Sequence, residues 1–246
     1  MVSLMRRREM MLAAGEPPEP WYVTDSLTHH WDAINNTGSG HSSSATSWAD
    51  LIGTLSFVAN NGSLISWDAD ALVLAGSSGQ HLIGSANTTN ASGRTIEVVF
   101  STSTSQAATI VTPFYNSNSN TTKNEAYGKI NLYSDDTFNV KGKSETAYVL
   151  PSGVSGLSKL HSITGTFSGA ATVSKVYANA IAASKGSATH SLQGSAQKPS
   201  IGACPTGYGY PFTGKIHSIR IYNKQLSADE VAQNFAIDVA RFNLEV

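Results

Sequence analysis

Gly214-Lys-Ile-His-Ser-Ile-Arg-Ile-Tyr222, followed directly by Asn223-Lys-Gln-Leu-Ser-Ala-Asp-Glu-Val231, is the stretch that decides the fold. Its first half alternates, with Ile219 and Ile221 on one face of an extended strand and Arg220 and Tyr222 on the other. Its second half opens a helix: Ser227 is an N-cap, Glu230 three residues later closes a capping box, and Leu226 can staple onto Val231. Val231, Phe235, Val239 and Phe242 then recur at helical spacing. That apolar stripe predicts a helix lying on a sheet as the closing element.

Working back from this segment, strand signals are many and short. Thr95-Ile-Glu-Val-Val-Phe100 puts Ile96, Val98 and Phe100 on one face and Thr95 and Glu97 on the other. Ala71–Leu74, Lys129–Tyr133, Thr137–Val140, Leu160–Phe167 and Val173–Tyr177 follow the same style, each bounded by Gly, Asn, Asp, Ser or Pro. No helical pattern intervenes between them. The prediction is an all-β, antiparallel β-sandwich (jelly roll) with one C-terminal capping helix.

The organisation is equally simple. Residues 1–20 read as a basic, Pro-rich arm: Arg6-Arg7-Arg8 and a short apolar run give way to Glu16-Pro-Pro-Glu-Pro20, a stiff non-helical spacer. Residues 21–246 read as one domain, long enough to bury a core without disulfide staples. Lys and Arg number 16 against 17 Asp and Glu, so no large basic field exists to attract a nucleic acid. The single Cys204 cannot form an internal disulfide. The apolar run at Met10–Ala14 is too short for a secretory leader, so no signal peptide is expected, and no run predicts a membrane-spanning helix.

The closing segment resembles the last strand and helix of laminin-G-like jelly rolls in the concanavalin A-like lectin/glucanase superfamily. The opening is similar too, through Trp31-Asp32, Asn36–His41, Trp48–Gly53 and Trp67. Leu160–Phe167 and Val173–Tyr177 resemble the paired strands that in this group carry a Tyr-x-Asn-Gly hairpin. Here the sequence is Tyr177-Ala-Asn-Ala180, so the glycine is missing and a different turn is expected. The resemblance spans residues 27–242 and implies the sandwich fold, which hosts lectins, adhesion modules and glycan hydrolases. The Arg- and Met-rich arm resembles the openings of phage and prophage proteins, which implies a virion-associated or surface setting.

Catalytic chemistry finds no signature. Glycan hydrolysis needs two carboxylates flanking the bond, yet no aspartate has a glutamate two positions before it, so the Glu-x-Asp-x-x-Glu strand of the related glucanases is absent. Asp135-Asp136 reads as a hairpin turn. Asp68-Ala-Asp70 leaves open a structural calcium ion or a catalytic pair, as minority readings. Gly209–Lys215 matches phosphate-loop spacing, but Ile216 follows where Ser or Thr belongs, and the next element is a strand. Seven scattered histidines show no helical ligand spacing; His29-His30 near Asp32 could hold a metal, but strand positions fit them better. No catalytic residue, resident cofactor or metal is therefore assigned.

For binding, the favoured feature is Pro205-Thr-Gly-Tyr-Gly-Tyr-Pro-Phe212. Sugars are held by aromatic faces plus directional hydrogen bonds, and tyrosine offers both. The expected ligand-binding residues are Tyr208, Tyr210, Arg220 and Tyr222, against the plainer reading that they pack or cover a turn. The expected function is a non-catalytic carbohydrate-binding or adhesion module with a glycan or surface partner. The alternatives are an assembly protein without a glycan ligand and a hydrolase with an atypical carboxylate pair.

Overall fold

A computed structural model describes residues 21–246 apart from 61–64, 78, 87–93, 113–128, 134, 136, 141–146, 155, 170–171, 186–197 and 204–210. Two antiparallel sheets stack face to face. Sheet A comprises β1 (Leu27–Asp32), β4 (Ser66–Asp68), β5 (Ala71–Ala75), β7 (Arg94–Ser101), β12 (Ser162–Gly169), β13 (Thr172–Ala178), β14 (Ile181–Ala182) and β17 (Thr213–Tyr222). Sheet B comprises β2 (Ser47–Trp48), β3 (Phe57–Ala59), β6 (Leu82–Gly84), β8 (Ala108–Thr112), β9 (Ile130–Leu132), β10 (Thr137–Val140), β11 (Ala147–Val149), β15 (Ser184–Lys185) and β16 (Ser200–Ile201). The order in sheet A is β14-β13-β12-β7-β17-β5-β4, with β1 also paired to β17; in sheet B it is β15-β11-β10-β9-β8-β16-β6-β3-β2.

β17 is the spine of sheet A. Its first half pairs with β5, its second half with β1, and its other edge runs along β7. The expected alternation holds, since Ile219 and Ile221 join the buried core between the sheets. Ile216 joins them too, although its offset of three positions from Ile219 would put it on the opposite face of a regular strand. A bulge between Ile216 and Ser218 absorbs His217 and keeps both isoleucines inward. Gly214 explains its place in the motif: at φ +148, a Cβ there would sit 2.4 Å from the carbonyl oxygen of Ser101. Trp31, Trp48, Phe57, Phe100, Phe138 and Phe212 fill the space between the sheets. The indole of Trp31 donates to Leu55 O at 2.9 Å, so its burial leaves no orphaned donor.

The hairpin without its glycine keeps a tight left-handed turn. Asn179 and Ala180 both take positive φ, +48° and +61°, between β13 and β14. That pair of angles is the two-residue turn that matches strand twist, and a non-glycine residue there is strained. Asn179 holds it in place by accepting from the amides of His161 and Ser162 at 2.8 and 3.0 Å and donating to Lys159 O at 2.9 Å.

The C-terminal helix, α1 (Ala228–Phe242), has the expected capping box, with Ser227 Oγ accepting from Glu230 N and Glu230 accepting from Ser227 N. Its buried face differs from the expected one. Val231, Asn234, Asp238 and Phe242 are buried, whereas Phe235 and Val239 are only partly so. The helix is rotated because it covers a polar surface of sheet A.

Candidate functional site

The outer face of sheet A carries ionisable side chains in register. Glu97 of β7, Arg220 of β17 and His30 of β1 are successive cross-strand partners, with Thr164 of β12 beyond Glu97. α1 closes over them. Arg220 donates from Nε to Glu97 Oε2 at 3.0 Å and forks onto both oxygens of Asp238 from the helix, one contact at 2.9 Å. Asn234 donates to Glu97 at 2.7 Å and to the Tyr222 hydroxyl at 3.0 Å. Arg241 holds Asp32 by two bonds, at 3.0 and 2.7 Å.

A segment from Trp21 to Asp25 straps the helix down. The Tyr22 hydroxyl donates to Asp238 at 2.7 Å, and its ring lies 4.3 Å beneath the Arg220 guanidinium. Val23 N donates to Asn234 Oδ1 at 2.9 Å, and Lys224 pairs with Asp25 at 2.7 Å.

These contacts correct two expected site residues. Arg220 is 1% exposed and Tyr222 is fully buried, so neither can line a surface for a ligand. They share a strand face, as expected, but α1 and the strap occupy it. Tyr208 and Tyr210 lie outside the described residues, as does Cys204. Burial also sets the charges. Burial pushes the Glu97 carboxyl above its usual range against the pull of Arg220. Burial lowers the His30 imidazole to about 3, aided by the Arg220 and Arg241 cations, so it is neutral.

Asp68 pairs with Lys215 at 2.6 Å, and His217 Nδ1 lies 3.0 Å from the backbone carbonyl of Asp70 and 3.8 Å from its carboxylate. Asp50 organises the loop after β2. It accepts from the amides of His30, Ile52, Gly53 and Leu55 and lies 2.6 Å from His29 Nδ1. Burial alone would raise its pKa, but His29 and these amides hold it below the usual value. Among the described residues no three His, Cys, Asp or Glu side chains gather to hold a metal ion. Among them, too, no helix is long and apolar enough to cross a membrane.

On the outer face of sheet B, several buried polar atoms lack a hydrogen-bond partner. Ala108, Ile130, Leu132, Phe138 and Val140 belong to the core, so alternation turns Thr109, Asn131 and Asn139 to the opposite face. Those three are cross-strand partners on β8, β9 and β10. The Thr109 hydroxyl donates to Asn131 Oδ1 at 2.8 Å, which leaves Asn131 Nδ2 without a partner. Asn139, 0% exposed, has neither its amide nitrogen nor its oxygen hydrogen-bonded. Thr112, also buried, has an unpaired hydroxyl, and Tyr133 flanks the row at the β9–β10 hairpin. Buried polar groups are ordinarily satisfied by protein or by ordered water, so these are positions where water would complete the bonding wherever it can enter. Sequence reasoning missed this row. Its trace was nevertheless present: Ile-Asn-Leu and Phe-Asn-Val put asparagine, which strands disfavour, at the centre of two predicted strands.

Residues 74–232 match a laminin-G family described as the concanavalin A-like lectin/glucanases superfamily. Among curated proteins none matches. Among solved structures, Trypanosoma rangeli sialidase aligns with a TM-score of 0.53 at 11% identity, over 85% of this chain and 32% of that one. The receptor binding domain of botulinum neurotoxin D aligns with a TM-score of 0.53 at 13% identity, over 88% of this chain and 54% of that one. The chain thus spans about a third of the sialidase and about half of the toxin chain, and at these identities the likeness is one of fold.

Proposed function

The chain belongs to the concanavalin A-like lectin/glucanases superfamily, and from that premise we propose that it is a non-catalytic carbohydrate-binding or adhesion module. What supports this reading is the family match over residues 74–232, together with the sandwich fold shared with the receptor binding domain of botulinum neurotoxin D. Tyr208 and Tyr210, which lie in sequence between β16 and β17, are proposed as the module's aromatic contacts.

Binding is favoured over hydrolysis because the buried carboxylates between sheet A and α1 are held by cations: Glu97 and Asp238 by Arg220, and Asp32 by Arg241. A general acid needs a carboxyl free to meet the glycosidic oxygen. A virion or cell-surface setting for the arm is part of the same proposal, and tail or capsid genes beside this one would support it.

The test is a glycan array on the wild-type protein, followed by titration of Tyr208→Ala and Tyr210→Ala against each hit. Binding weakened by either substitution, with unchanged thermal unfolding, supports the reading. A folded protein that binds no glycan at millimolar ligand transfers the case to an assembly role, to be measured as self-association with and without residues 1–18.

A further inference from the structure

We propose that α1 and the Trp21–Asp25 strap form an acid-released latch, which lifts from sheet A as one unit while the sandwich stays folded, with His30 as its trigger. The latch is separable because it packs apart from the main core. That core lies between the sheets and takes its buried side chains from the strands and the loops that join them. Val23 of the strap and Val231 of α1 belong instead to a second buried cluster, with Tyr177, Tyr222 and Leu226. Strap and helix are also tied to each other. Tyr22 donates to Asp238, Val23 N to Asn234, and Gln233 Nε2 to Trp21 O. Elements bound to one another and seated outside the main core can open together at a lower free energy than global unfolding.

His30 sits where the closed latch opposes a proton. It is the cross-strand partner of Arg220, and the Tyr22 ring of the strap lies edge-on to its imidazole at 5.7 Å. Arg220 Nη1 donates to Ser218 Oγ at 3.4 Å, which leaves the Ser218 hydroxyl proton to donate to His30 Nε2, 3.2 Å away. That nitrogen is an acceptor, as in a neutral imidazole. The groups facing His30 are Arg220 on β17, Arg241 on α1, Tyr22 on the strap, and Asp50 after β2, whose carboxylate accepts from the His30 amide. A proton here would add a third cation beside two guanidiniums whose carboxylates, Glu97, Asp238 and Asp32, are already bonded. Lifting strap and helix takes away Tyr22 and Arg241 and admits water, so the imidazole regains its ordinary affinity for a proton. Neutral His30 therefore favours the closed latch fully above pH 6.5, and this advantage is lost as the pH falls toward 3. Glu97, raised by burial, acts in the opposite sense, and two further histidines meet the end of the chain, His217 at Phe242 and His161 at Glu245 O. The share of His30 is thus the difference between wild type and a variant that cannot be charged at this position.

The experiment is hydrogen exchange of the full chain read by mass spectrometry at about pH 7.5 and about pH 5, corrected for the intrinsic rate at each pH. With a histidine at about 3 when closed and 6.5 when open, the opening constant rises about thirtyfold between those two conditions. Amides of the strap and α1 should lose protection by about that factor in the wild type, while those of β7 and β17 keep theirs. His30→Gln, uncharged and still able to accept from Ser218, should remove most of the pH response. Tyr22→Phe, which deletes the bond to Asp238 and keeps the ring, should raise opening at both pH values and leave the response in place. Loss of protection in α1 and β17 together at the lower pH overturns the separable latch. An unchanged wild type, or an equal response in wild type and His30→Gln, overturns the trigger. Should His30→Gln fail to fold, the wild-type imidazole is followed by NMR instead: titration near 6.5 while α1 stays protected overturns the inference, and protonation only as α1 opens supports it.

Discussion

Replacing Asn139 with leucine removes two polar atoms and keeps the side chain's heavy-atom count, so it probes the orphaned amide with little change in volume. In the folded protein the amide is fully buried and unpaired, while in the unfolded chain it is hydrated. Each buried polar group left unsatisfied costs about 1–3 kcal/mol on mutational scales. Two such groups give the leucine variant a gain of at least about 2 kcal/mol in the ligand-free protein, and a central strand also prefers leucine. For a domain of this size each kcal/mol moves the melting temperature by about 2–4 °C, so a rise of roughly 4–8 °C is expected in calorimetry or circular dichroism. A melting temperature that falls would refute the reasoning, because it would mean that the amide is satisfied in solution and that leucine strands its partner.

Ala180→Gly should stabilise the fold by about 1 kcal/mol, since φ +61° costs a β-carbon about that much and costs glycine little; urea melts check it, and no gain would mean the turn relaxes. Phe242→Ala should cost about 3–5 kcal/mol and Phe235→Ala clearly less, because the first is buried beneath α1 and the second is half exposed; equal losses would restore the apolar stripe expected from spacing alone. Arg220→Ala should destabilise by about 3–5 kcal/mol, because it leaves Glu97 and Asp238 buried without their cation; an unchanged melting temperature would show that the carboxyls take up protons instead. His30 titrates near 6.5 when unfolded and near 3 when folded. The stability that comes from keeping it neutral is therefore complete above pH 6.5, and falls by roughly 1.4 kcal/mol per unit as the pH drops toward 3. Glu97, whose folded value is raised, contributes in the opposite sense, so the comparison to make is wild type against His30→Gln, and parallel acid limbs would dismiss the histidine.

The alternation along β17 and the capping box at Ser227 were legible because alternation and capping are local. The helix rotation was not. A stripe read by hydrophobicity picks Phe235 and Val239, but the helix packs on Glu97 and Arg220, so its buried positions must be able to bond, as Asn234 and Asp238 do. Only the cross-strand register of Glu97 against Arg220 makes that pairing visible, and register is a tertiary fact. For the same reason Arg220 and Tyr222 read as outward-facing, which they are relative to the core, while α1 takes that side. Asn131 and Asn139 become a row only when β9 and β10 are laid side by side.

The strap from Trp21 to Asp25 also fixes how the domain would bear load. Tension applied through residues 1–20 enters at Trp21 and meets Tyr22 and Val23, each bonded across to α1, before it reaches β1. The first bonds to rupture would release the ring over Arg220 and admit water to its ion pairs with Asp238 and Glu97. Once hydrated, those pairs lose most of their strength. A module tethered by its N-terminus would then yield at α1 first, with the sheet B face on the far side of the sandwich still assembled.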